Sequence, residues 1–288
     1  MFKYKLVATD LDGTLLYHHD SVSFKNRGAL LRLHNEGVDV AISTGRNLPI
    51  ITHELLSIVG VNYIITSNGA AIYKNNPIEL IYKSLIDYKI LKEFTREVLP
   101  LCKTFQILYL DKMVTTNDAN TLSFFESINN EQKRTGSTAS QNFMDHILAV
   151  DDLVAYVQKS EIDATKMDII LKSDEDYTKF LKVMKKYSCL NATLCSTNYV
   201  EVTNTNISKG IALLTLGKML HISPKEILAF GDSGNDLSMA EVGCDFVAMN
   251  NASDEVKQKA KFVTDDCDED GFGNMIFRIC EDNNHGSK

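Results

Sequence analysis

From residue 4 the chain alternates short apolar runs with stretches of helical periodicity. YKLVAT (4–9) is predicted as a strand. Residues 24–36 are predicted as a helix, with Leu30, Leu31 and Leu33 on the buried side and Gly37 as the stop. VDVAIST (38–44) is the second strand, 48–59 a helix ending at Gly60, and YIITS (63–67) the third strand. A β-α-β-α-β order calls for parallel strands joined by crossover helices, hence an α/β fold: a Rossmann-like open parallel sheet with helices on both faces. The rhythm resumes late in the chain. There 208–221, 234–242 and 251–260 read as helices, and EILAFGD (226–232), DFVAM (245–249) and KFVTD (261–265) as strands.

The middle follows another pattern. Helical periodicity at 87–98, 118–133 and 174–187 is mixed with strand-like runs at 104–116, 166–172 and 190–203. Strands that follow strands imply an antiparallel α+β module. The expected organisation is a discontinuous core, 1–84 and 196–288, with an α+β cap domain of residues 85–195 inserted into it. Hinges are expected near 83–86 and 196–204. The small, polar stretch 134–145 reads as a loop, and the polar tail after Cys280 as frayed.

Composition narrows the function classes. The chain has 288 residues, 44% hydrophobic and 24% charged, enough for a sizeable core. Its net charge of −8 argues against a nucleic-acid partner, which would want a basic face, but leaves room for a local anion site. No apolar run reaches the ~18 residues of a membrane span, and the first strand starts too early to leave room for a signal peptide. The six cysteines form no C-x-x-C pair and read as free thiols. Together these features predict a cytoplasmic protein with no membrane partner.

Ligands of open α/β sheets bind beyond the carboxyl ends of the strands. Four polar clusters fall at such ends or at helix starts: DLDGT (10–14), STGR (43–46), SKG (208–210) and GDSGND (231–236). In order and chemistry they resemble the haloacid dehalogenase-like phosphatase superfamily, and more narrowly its Cof-type, sugar-phosphatase-like branch. SNGAAIY (67–73) and EDGFG (269–273) resemble the same branch. The resemblance spans the whole chain and implies a large cap inserted after the second motif.

Residue chemistry supplies a mechanism for the same clusters. Asp10 is expected to attack phosphorus and form an aspartyl-phosphate, splitting one hard step into two. Asp12 would protonate the leaving oxygen and then take a proton from water. Gly13 permits the sharp exit from the strand, and Thr14 braces the loop. Asp232, with Asp10 and the backbone carbonyl of Asp12, offers hard oxygens suited to Mg²⁺. Asp236 would ligate too, or hold a metal-bound water. Lys209, the Thr44 hydroxyl, the Gly45 N–H and Asn235 are expected to hold phosphoryl oxygens. Arg46 matches the family pattern, as a brace of the loop or a substrate contact.

Read singly, each motif has an ordinary structural explanation: a turn, a loop, a solvated lysine, a helix cap. Their coincidence at four sheet ends is what points to function. His18 and His19 read as a solvated pair rather than metal ligands, and the acidic run 265–270 as a solvated turn without EF-hand spacing. The expected activity is Mg²⁺-dependent hydrolysis of small phosphorylated metabolites such as sugar phosphates. Two alternatives stay open. One is a phosphomutase resembling the phosphomannomutases, disfavoured because the cap has only Arg96 and Arg134 to grip a second phosphate. The other is a non-catalytic phosphometabolite-binding protein, which would be free to lose Asp10 or Asp12.

Overall fold

A computed structural model of the chain describes residues 2–16, 21–119, 121–127 and 146–285, with side chains as far as Glu281. Its strands, in chain order, begin with β1 (Leu6–Thr9), β2 (Asp39–Ser43), β3 (Val61–Thr66), β4 (Ala71–Lys74) and β5 (Glu79–Lys83). Next come β6 (Cys102–Leu108), β7 (Met113–Thr116), β8 (Ile147–Val150), β9 (Lys166–Leu171), β10 (Leu190–Ser196) and β11 (Tyr199–Asn204). The last are β12 (Ile227–Gly231), β13 (Asp245–Ala248) and β14 (Phe262–Val263). The described residues form two compact units. The first draws on Met1–Gly45, His53–Lys83 and Ser208–Lys288, the second on Arg46–Thr52 and Ser84–Ile207.

The first unit is built on an eight-stranded sheet of order β14-β13-β12-β1-β2-β3-β4-β5. Its first six strands run parallel. Strands β4 and β5 close the edge antiparallel. These two strands depart from the all-parallel expectation, because the tight turn Ser67–Gly69, the first part of SNGAAIY, reverses the chain between β3 and β4 without a crossover helix. The sheet is buried on both faces, so its central strands are continuous apolar runs such as LVAT and ILAFG. On one face Leu6, Ala8, Ala41 and Ala229 meet Leu213 and Leu216 of the helix Lys209–Met219. On the other, Phe230 packs against Phe272 of the helix Gly271–His285, their rings 4.9 Å apart.

The second unit is a six-stranded sheet, β10-β11-β9-β6-β7-β8, antiparallel except between β7 and β8. Leu91, Phe94 and Val98 of the helix Tyr88–Val98, Leu153 and Val157 of Leu153–Ser160, and Phe180 of Asp174–Met184 are buried against Phe105, Ile107, Met167 and Ile169. The alternate residues Gln106, Asp168 and Glu201 are paired in register across β6, β9 and β11. They lie on the opposite face, because successive strand residues point to opposite sides. Lys166 shares that face and is 2% exposed. Its ammonium stands 3.1 Å from Asp168 and is hydrogen bonded to Glu201. Burial lifts the Asp168 carboxyl to about 6 against the pull of Lys166.

Several local expectations are corrected. Leu31 is 47% exposed, because the buried stripe of its helix runs through Asn26, Ala29, Leu30 and Leu33. The helix predicted for 48–59 shrinks to a turn at Leu48–Ile50 and the short helix His53–Leu56. The run 104–116 is two strands, folded back where the Tyr109 N–H bonds the Lys112 carbonyl at 2.8 Å. The run 190–203 is the hairpin β10–β11, turned at Asn198 with φ +60°. The second unit extends to Ile207 rather than 195, because β11 pairs with β10 and β9. Strands β4, β5 and β8 and the helices Leu153–Ser160 and Gly271–His285 lie outside the predicted elements, and the supposedly frayed tail is helical to His285. His18, His19, the 134–145 loop and residues 128–133 lie outside the described residues.

Lys166→Met would leave two buried carboxylates facing each other with no cation. The expected loss is roughly 3–5 kcal/mol near neutral pH by denaturant unfolding. The deficit relative to the parent should shrink as pH falls towards about 6, because without the pull of Lys166 the Asp168 carboxyl takes up its proton at a higher pH than in the parent.

Candidate active site

All four polar clusters contribute to one end of the first unit's sheet. Strand β1 ends at Thr9, and Asp10 leaves it in an extended conformation, its N–H bonded to the Phe230 carbonyl of β12 at 3.1 Å. The chain then makes the tight turn Leu11–Leu15. Gly13 sits in that turn at φ +77°, a left-handed conformation that favours glycine. A Cβ there would also lie 2.5 Å from Asp232 Oδ2. The glycine therefore brings the loop backbone directly against a carboxylate from the far end of the chain. Thr14 fixes the same carboxylate, its hydroxyl donating to Asp232 Oδ1 at 3.1 Å. Asp12, between Asp10 and Gly13, is partly exposed with φ −75° and ψ 119°.

Lys209 stands at the start of its helix, capped by Ser208, whose hydroxyl accepts from the Ile211 N–H. The ammonium is 1% exposed and donates to Asp10 Oδ1 at 2.7 Å and to Asp236 Oδ1 at 2.8 Å. The lysine expected to hold phosphoryl oxygens thus also bridges two acids. Gly210, next in the chain, allows this close seat: a Cβ there would lie 2.0 Å from the Ser238 carbonyl oxygen. The other oxygen of Asp236 accepts from the Asp232 N–H and the Ser233 N–H, both at 3.1 Å, and from the Ser233 hydroxyl at 3.2 Å. Donors thus occupy both Asp236 oxygens, and that carboxylate braces the turn after β12. Asn235 reaches the other way, its amide donating to Asn68 Oδ1 at 3.3 Å. The Asn68 N–H in turn bonds the Thr44 carbonyl at 3.1 Å.

One carboxylate oxygen from each of Asp10, Asp232 and Asp236 lies within 4.8 Å of the others. Burial raises the Asp10 carboxyl well above its usual range, with Lys209 opposing. Burial and the neighbouring Asp236 push Asp232 up to about 6. Burial alone would lower Lys209, but Asp10 and Asp236 outweigh it and raise the ammonium above its ordinary value. Three acids thus converge on one ammonium, leaving excess negative charge in a poorly solvated place. Hard oxygens with uncompensated charge fit a small divalent cation.

The expected residues Asp10, Asp232, Asp236 and Lys209 are in direct or near contact. Gly13 and Thr14 touch Asp232. Thr44 is buried at the end of β2, its N–H bonded to the Ile65 carbonyl, and Gly45 is half-buried beside it. Arg46 belongs to the second unit. Sequence reasoning missed Asn68, Ser208, Ser233, Ser238 and Asn251 as supporting groups.

A family model described as haloacid dehalogenase-like hydrolase matches residues 7–276. The chain belongs to that family. This hydrolase is 31% identical over 289 residues to the 5-amino-6-(5-phospho-D-ribitylamino)uracil phosphatase YwtE of Bacillus subtilis, covering 96% of this chain and 98% of that protein. It is 30% identical to the phosphatase YwpJ of the same organism, covering 94% and 98%. A solved haloacid dehalogenase-like hydrolase from B. subtilis superposes with a TM-score of 0.79 at 26% identity, covering 94% and 98%. The enzyme class is that of a phosphatase acting on small phosphorylated molecules. Among the described residues no helix is long and apolar enough to cross a membrane.

Gly13→Ala should cost on the order of 1–2 kcal/mol for the left-handed backbone alone, and more for the collision with Asp232. Denaturant unfolding together with phosphatase turnover checks this. The expected outcome is a destabilised protein with activity reduced beyond what its folded fraction explains.

Proposed function

We propose that this hydrolase is a Mg²⁺-dependent phosphomonoesterase that works through an aspartyl-phosphate on Asp10. The observation that carries the reading is the meeting of Asp10, Asp232 and Asp236 around the buried ammonium of Lys209. One Asp10 carboxylate oxygen attacks phosphorus and the other would face the cation, with Lys209 donating to Oδ1. Asp12 gives a proton to the departing oxygen. In the second half it accepts one from the water that attacks the acyl phosphate, so one group serves both steps. Asp10, Asp232 and the Asp12 carbonyl would hold Mg²⁺, with Asp236 orienting Asp232 through its backbone N–H. The cation would offset the repulsion between nucleophile and phosphate, roughly 4 kcal/mol per unit-charge pair at about 4 Å and an effective dielectric near 20. The Thr44 hydroxyl, the Gly45 N–H and Asn235 hold the remaining phosphoryl oxygens, and catalysis is mainly positioning and charge compensation.

The substrate class follows from two supports. The printed name of YwtE places the phosphate on a ribityl chain, a polyol phosphate. The second unit, inserted between the second and third motifs, presents a polar sheet face with Lys166, Asp168, Glu201 and Gln106. Among the described residues of that face Lys166 is already flanked by two carboxylates, which leaves it no spare charge for a second phosphate. Sugar and polyol phosphates are the proposed substrates, with the inserted unit choosing the leaving group.

Phosphate release from p-nitrophenyl phosphate should require Mg²⁺ and vanish in Asp10→Asn; equal rates in the variant would end the proposal. Mg²⁺ should also raise the melting temperature. Binding needs Asp232 ionised, and its carboxyl titrates near 6 without metal. The stabilisation should therefore be full above that pH and fade as pH falls through it.

A further inference from the structure

Asn251 lies just past the end of β13, in the stretch MNNA, and no motif reasoning assigns it a role. Its side-chain amide makes two hydrogen bonds to segments far apart in sequence. Nδ2 donates to the Gly13 carbonyl at 2.8 Å, and Oδ1 accepts from the Cys267 N–H at 3.0 Å. Only one orientation of the amide satisfies both partners, since a carbonyl needs a donor and an N–H needs an acceptor. The backbone that carries Asn251 is itself held. The Met249 N–H bonds the Gly231 carbonyl at 3.1 Å, and the Asn250 N–H bonds the Asp265 carbonyl at 3.2 Å. The 265–271 loop is pressed so closely that a Cβ on Gly271 would lie 2.1 Å from the Asp265 carbonyl oxygen. The EDGFG segment thereby acquires a purpose: its loop holds one end of the amide whose other end grips the loop carrying Asp12.

We propose that Asn251 is a positioning residue for proton transfer by Asp12. The Asp12–Gly13–Thr14 segment is pinned on one side by Asp232, through the Gly13 contact and the Thr14 hydrogen bond. Asn251 supplies the second restraint by fixing the plane of the Gly13–Thr14 peptide. With both in place the backbone that aims the Asp12 side chain has one arrangement. Asp10 is restrained independently, by β1 and by Lys209. Loss of Asn251 should therefore disturb the acid and spare the nucleophile. The inference rests on the reading of Asp12 as general acid given above.

Leaving-group chemistry separates the two effects. An alkoxide or simple phenoxide needs a proton as it departs, whereas p-nitrophenoxide leaves without one. Turnover of a series of substituted phenyl phosphates would be measured for the parent enzyme, Asp12→Ala, Asn251→Ala and Asn251→Asp. The last variant keeps the acceptor for Cys267 and replaces the donor to Gly13 with a carboxylate oxygen, which repels the Gly13 carbonyl. In both Asn251 variants we expect kcat/KM for phenyl phosphate, which reports the steps through departure of the leaving group, to fall about tenfold or more, with a change of about threefold or less in kcat/KM for p-nitrophenyl phosphate. The slope against leaving-group pKa should steepen as it does in Asp12→Ala. Amide hydrogen exchange over residues 11–16, read without metal or substrate, should quicken in the same variants. Equal losses on both substrates, or an unchanged slope with unchanged exchange, would overturn the proposal. If Asp12→Ala itself shows no leaving-group dependence, the general-acid reading fails instead, and the two failures are told apart.

Discussion

The site depends on one buried ammonium. Lys209 is nearly inaccessible and has two carboxylates for partners, 2.7 and 2.8 Å away. An unpaired ammonium in that place would lose its proton, and unpaired carboxylates would hold theirs. Each charge is kept only because the other is there. Much of the surrounding architecture serves that contact. Gly210 lets the lysine's helix sit against Ser238, Asp236 is locked by the turn after β12, and β1 delivers Asp10 from the centre of the sheet. The arrangement still carries more negative than positive charge, which is why Asp10 and Asp232 hold protons more tightly than ordinary carboxylates. A phosphatase needs this imbalance, because it creates the demand for a cation that also screens an anionic ester.

The parallel sheet explains how such distant residues meet. Each crossover returns the chain to the same edge, so residues that follow successive strands collect there. Asp10 follows β1, Thr44 follows β2, Asp232 follows β12 and Asn251 comes just after β13. Strands β12 and β1 are neighbours in register, with Phe230 opposite Thr9, so Asp10 and Asp232 are brought close by the sheet itself. Lys209 comes from a helix instead, which lets its side chain reach in from one face.

What could be read in the sequence follows the same logic. The apolar runs of β1, β2, β3, β12 and β13 were legible because strands buried on both faces leave no polar positions to blur them. The acids and the lysine were legible because such groups at strand and helix ends require a reason. The reversal that sets β4 antiparallel to β3 was hidden: it depends on left-handed Ser67, Asn68 and Gly69, and only the glycine announces such a turn. Leu31 was misplaced because adjacent leucines blur the phase of a helix whose true stripe includes the buried polar Asn26. The hydrogen-bonding role of Lys209 towards Asp10 and Asp236, and the clamp made by Asn251, were not legible at all. Each includes a bond between segments separated by most of the chain, Lys209 to Asp10 and Asn251 to Gly13, and neither leaves a local pattern.

The central claim is that Asp10 becomes covalently phosphorylated, which acid quenching tests directly. Enzyme mixed with Mg²⁺ and an aryl phosphate would be quenched within the first turnovers, digested, and its peptides examined by mass spectrometry. The account predicts an acid-stable, base-labile phosphoryl group on Asp10, more abundant in Asp12→Ala, where the acyl phosphate has lost the base that promotes its hydrolysis. Turnover with no covalent phosphoryl group in either protein, or with the label on another residue, would contradict it.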